Sequence, residues 1–112
     1  MRMLMKVSMP VEAGNRAMAD GTLGKTIQSI LDEQKPEAAY FVADNGMRTA
    51  FLILDLKSTA DIPGIAEPWF LAFNASIEAT PAMTAQDLAS AGPAIESAVR
   101  KYGSLARGAG AD

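Results

Sequence analysis

The 112-residue chain predicts an α+β fold: one antiparallel sheet with helices on one face, in the order βαββαβ, plus an extra C-terminal helix. Three observations predict it. Residues 2–9 alternate, with Met3, Met5, Val7 and Met9 set against Arg2, Leu4, Lys6 and Ser8, which is the two-residue period of a strand. Leu23, Ile27, Ile30 and Leu31 fall at i, i+4, i+7 and i+8, one face of a helix. Asp44-Asn45-Gly46-Met47 joins two strand-like runs through Asn-Gly, the pair that accepts the positive φ angles of a tight type I′ turn.

Taken in order, Pro10 ends the first strand and residues 11–34 read as helix, with Gly21 and Gly24 breaking or bending it. Lys35-Pro36 stops that helix, because the residue before a proline is pushed out of the α region. Residues 37–43 form a second strand around Tyr40, Phe41 and Val42, and residues 48–56 return as a third. Ala50-Phe51-Leu52-Ile53-Leu54 lacks alternation, which calls for burial on both faces. Ser58 and Asp61 supply a capping box for a helix over 62–73 that Pro63 and Pro68 should shorten or kink. A last strand covers 74–81, and Thr84 and Asp87 cap a helix that Gly92-Pro93 interrupts and that ends at Tyr102-Gly103. One domain over 1–103 and a frayed tail over 104–112 follow from this reading.

Helices on one side leave the second face of Ala50–Leu54 uncovered, and a second copy of the chain supplies the cover, so a homodimer is expected. Here the sequence resembles the ferredoxin-like dimeric α+β barrel proteins. More narrowly, Pro36-Glu37-Ala38-Ala39-Tyr40-Phe41, Glu67–Asn74 and Pro81–Thr84 resemble an uncharacterised bacterial family of that fold. The resemblance implies a fold and a dimer packed sheet against sheet. It brings no catalytic residues.

Composition narrows the chemistry. The chain has no histidine and no cysteine, which excludes disulfides, Ser-His and Cys-His dyads, thiolate nucleophiles and metal or haem held by those side chains. No cofactor and no metal are expected. A net charge of -3 with 10 Lys and Arg dispersed along the chain leaves no basic face for nucleic acid or an anionic membrane. Residues 1–10 are interrupted by Arg2 and Lys6, unlike a signal peptide, and no run approaches a membrane span, so the expected address is the cytoplasm.

Two motifs compete with that frame. Residues 19–26, Ala-Asp-Gly-Thr-Leu-Gly-Lys-Thr, fit a relaxed Walker A pattern with Ala19 in place of its first glycine, and Phe51–Asp55 imitates a Walker B strand. A phosphate cradle needs a loop that leaves a strand and opens a helix, yet Asn15-Arg16-Ala17-Met18 has no strand character. Nucleotide binding is therefore the least favoured reading, and Lys25 is expected to be a surface charge. The second motif is Glu67-Pro68-Trp69-Phe70, where a tryptophan beside a carboxylate suits a cavity wall but also suits a core. The seven methionines read as core filler that can also line an adaptable pocket.

Following the alternation places Leu4, Lys6, Ser8, Tyr40, Val42, Thr49, Phe51, Ile53, Asp55, Ser76 and Glu78 on the face away from the helices. The candidate ligand-binding residues are Lys6, Tyr40, Asp55 and Glu78 there, with Glu67 and Trp69 nearby. Polar groups on an apolar floor suit a small molecule with a carbonyl or phenolic head, bound or transformed in a barrel cavity, as in isomerases and cofactor-free oxygenases of the resembled fold. The alternative is that Lys6 pairs with Glu78 and the face only seals a structural dimer.

Overall fold

A computed structural model describes residues 1–108. They form a first compact unit, Met1–Ala82, and a second that begins at Met83. The first contains β1 (Arg2–Met9), α1 (Val11–Ala19), α2 (Leu23–Gln34), β2 (Ala38–Asp44), β3 (Met47–Asp55), a single 3₁₀ turn over Thr59–Asp61, α3 (Ile62–Phe73) and β4 (Ser76–Ala82). The strands make one antiparallel sheet in the order β2-β3-β1-β4, the ferredoxin-like topology.

β1 lies between β3 and β4, so its alternation sets the faces of the whole sheet. Met3, Met5 and Val7 stand opposite Leu54, Leu52 and Ala50 of β3, and these six side chains are buried under α2 and α3. Leu23 and Ile30 of α2 and Trp69 and Phe73 of α3 complete that core. At the hairpin, Asn45 and Gly46 take φ of 51° and 75°, the pair of positive angles a type I′ turn requires.

The helical stretch over 11–34 breaks at Gly21 as expected, giving two helices: Gly21 adopts φ of 79°, and the N–H groups of Gly21 and Thr22 turn back to the Met18 and Ala17 carbonyls. Two local readings need adjustment. Gly24 sits inside α2 and breaks nothing. Pro68 does not shorten or break α3: Pro63 lies in the first turn, where no N–H is needed, and burial of Ala66, Trp69 and Phe73 holds the helix past Pro68. The Thr84–Asp87 capping box opens α4 as expected, whereas the Ser58–Asp61 box forms at the start of the 3₁₀ turn and not of α3.

In the second unit, α4 (Ala85–Ser90) is followed by α5 (Gly92–Gly108). Gly92-Pro93 separates them as expected, with Pro93 tolerated in the first turn of the new helix. α5 continues past Tyr102-Gly103, so part of the expected tail is helical; its remainder, residues 109–112, lies outside the described residues. No helix among the described residues is long and apolar enough to cross a membrane.

Leu52 is 0% exposed and Leu71 80%. Truncating Leu52 to alanine leaves a cavity between sheet and helices and should cost about 2–5 kcal/mol in urea unfolding, whereas Leu71→Ala should stay within about 0.5 kcal/mol.

Candidate functional site

The face of the sheet turned away from α1, α2 and α3 carries one cross-strand row: Tyr40 on β2 opposite Phe51 on β3, Phe51 opposite Lys6 on β1, and Lys6 opposite Glu78 on β4. Leu4 and Ile53 form the next row, half-buried like Phe51. Val42 is 44% exposed and Tyr40 67%. Three of the expected residues, Lys6, Tyr40 and Glu78, are thus brought into line by register alone.

Lys6 has two carboxylates around it. Its Nζ lies 3.7 Å from Glu78 Oε2 and 2.7 Å from Asp44 Oδ2. Asp44 is the partner that the sequence reading missed, although Tyr40, Val42 and Asp44 share one parity; the turn chemistry of Asn45-Gly46 masks that alternation. The contact also reports on shape. Asp44 stands two strands from Lys6 and four residues along β3 from the Lys6–Phe51 pair, about 13 Å along the strand direction in a flat sheet. A lysine side chain does not span that gap in a flat sheet, so the 2.7 Å contact requires the twist of the strands to bring Asp44 toward Lys6. Ser8 and Thr49, polar residues on the same face, are buried, and the Thr49 hydroxyl donates to the Met47 carbonyl at 3.0 Å.

Asp55 shares this face by parity but is exposed at the far end of β3, opposite Arg2, with Oδ1 3.2 Å from the Met1 amino group. Trp69 is buried on the helix side, where its indole N–H donates to Gln34 Oε1 at 3.3 Å and its ring lies 6.2 Å from that of Phe73. Glu67 is exposed on α3. Trp69 is therefore a core side chain separated from Lys6 by the sheet, and the two-residue offset from Glu67 points that carboxylate outward.

The Walker-like segment is preceded by α1 rather than a strand. At the start of α2 the Thr22 N–H and hydroxyl both donate to Asp20 Oδ1, which holds the Asp20 carboxyl below its usual value, the hydroxyl contributing most. A carboxylate thus occupies donors that a phosphate would use, and Lys25 is exposed.

No family model matches the chain, and no curated protein matches it. Among solved structures it is similar to a formyltetrahydrofolate deformylase from Pseudomonas putida KT2440, with a TM-score of 0.45 and 16% identity. The match covers 73% of this chain and 29% of that one, so the chain spans less than a third of that protein's length.

The Lys6 ammonium is held above the ordinary lysine value chiefly by its hydrogen bond with Asp44, which outweighs the opposing desolvation, with the charges of Asp44 and then Glu78 adding to it. A raised folded-state value contributes stability that is complete below the unfolded value and is lost as pH rises through the folded one. Urea midpoints measured from neutral pH to beyond the ordinary lysine range should therefore fall for the wild type, and fall less for Asp44→Asn.

Proposed function

We propose that the chain works as a homodimer paired through this face, in the sheet-against-sheet manner of the dimeric α+β barrel proteins it resembles, and that the pairing encloses a site for a small molecule. The observation that carries this reading is the grouping of Leu4, Tyr40, Val42, Phe51 and Ile53 on one face while the helices of the same unit lie on the other. Apolar surface left in water costs about 25 cal/mol per Å² relative to burial. A two-fold pairing covers it on both copies at once.

The polar centre defines the ligand. Tyr40 and Lys6 flank Phe51 in one row, so a flat molecule lying on Phe51 meets a phenol on one side and an ammonium on the other. Asp44 and Glu78 surround that ammonium with negative charge, which favours a neutral carbonyl or phenolic head over an anion. With no histidine in the chain, proton transfer in such a site falls to Tyr40 or to a carboxylate. A second reading, a dimer that only seals, is favoured by the 2.7 Å Lys6–Asp44 pair, which already satisfies the lysine.

Sedimentation equilibrium at micromolar concentration should give a dimer mass for the wild type, and Phe51→Asp should weaken the dimer by several kcal/mol by placing an unpaired charge in an apolar contact. A monomeric wild type would remove the basis of the proposal. For the ligand, buried Trp69 is a poor reporter, so amide shifts are the better readout. Small aromatic ketones and phenols should perturb Leu4, Phe51 and Ile53, with affinity reduced several-fold in Tyr40→Phe; a dimer that no compound perturbs would select the sealing reading.

A further inference from the structure

The opposite side of the sheet holds a second feature. Between α1, the first turns of α2 and the β2–β3 hairpin lies a cavity of about 430 Å³, within the range of small-molecule sites. Val7, Met18, Leu23, Ile27, Phe41 and Ala50 form most of its wall. Phe41, on the helix-facing side of its strand, is 54% exposed at this space, and Met18, which also lines it, is 56% exposed.

One charged side chain lines this apolar space, Arg48 of β3. Its guanidinium is positioned by a neutral partner: Nη1 donates to Asn15 Oδ1 at 3.1 Å. It also lies against the backbone of α1 at Gly14, where an added Cβ would come within 2.5 Å of the same nitrogen. Among the described residues no carboxylate forms an ion pair with Arg48. The remaining N–H groups of a guanidinium form a planar fork that matches a carboxylate.

We infer that this groove is a binding site for a small carboxylate with an apolar chain or ring, its body against Ile27, Phe41 and Met18 and its head on Arg48. The body covers apolar rim that the chain itself leaves in water, and the head supplies the anion that Arg48 lacks. Gly14 is the residue that lets the guanidinium sit at the mouth, because any side chain there displaces it. The site lies within one chain and does not depend on the dimer.

The probe is decanoate, compared with decan-1-ol by calorimetric titration of the full chain below micelle formation. Decanoate should bind one per chain, more tightly than the alcohol. Arg48→Gln should weaken decanoate about tenfold or more, as expected for loss of a charge-assisted pair, and leave the alcohol unchanged. Gly14→Ala keeps the charge but moves it, and should likewise weaken decanoate while leaving the alcohol unchanged. Absence of saturable decanoate binding, or binding that Arg48→Gln leaves unaltered, would overturn the assignment. So would concentration-dependent shifts of Met18 and Phe41 without decanoate, which would give the groove to a second copy of the chain. Phe51→Asp should leave decanoate binding intact, so failure here and failure of the proposed dimer are separable.

Discussion

The two-residue period of β1 is the constraint on which the first unit depends. As the strand with neighbours on both edges, it fixes the facing of β3 and β4 through pairs such as Met5 with Leu52 and Ala79. Sliding β1 by one residue would turn Lys6 and Ser8 toward Trp69 and Leu23 and expose Met3, Met5 and Val7. Each apolar side chain moved into water costs about 1.5–3 kcal/mol, and an unpaired lysine in the core costs more. Surface ion pairs contribute about 0–1 kcal/mol each. The register is therefore set by what β1 buries, and the contact between Lys6 and Asp44 is a consequence.

That consequence still reports on the sheet. A two-stranded hairpin twists more than the interior of a sheet, and a contact between Lys6 and Asp44 across two strands requires such twist here. Ser8 and Thr49 are buried on that face, and on the other a groove lies between α1, α2 and the hairpin beside Phe41. The ion pair contributes too little to cause the twist, but it favours it once the carboxylate has come within reach.

Much of this was legible in the sequence because it is local. Asn45-Gly46 marks the hairpin, Ser58 with Asp61 and Thr84 with Asp87 mark helix starts, and the parity of residues 2–9 and 48–55 sorts the faces. What was not legible depends on how elements sit in three dimensions. Trp69 reads equally well as cavity wall or core until α3 is docked, and only then does Gln34 appear as its partner. Asp44 is hidden because a turn signal and a strand parity coincide on one residue. The helical reach of α5 to Gly108 was obscured by glycine and serine, weak helix formers that do not by themselves end a helix. The groove has no sequence signature at all, since Phe41 and Met18 look like any apolar residues until the elements that carry them are placed.

Charge pairing separates the two sides of the sheet chemically. Lys6 faces two carboxylates, so the field around it is net negative and a ligand carboxylate would meet repulsion there. Arg48 has an amide for a partner and keeps its charge available. Neutral polar heads suit the first environment and anions the second, although both sites draw on β3 within a few residues of each other. A strand sends successive side chains to opposite faces, so Arg48 and Thr49, adjacent in sequence, lie on different faces of the sheet. The selectivity proposed for each face thus rests on strand parity and on which residue the fold places beside each cation.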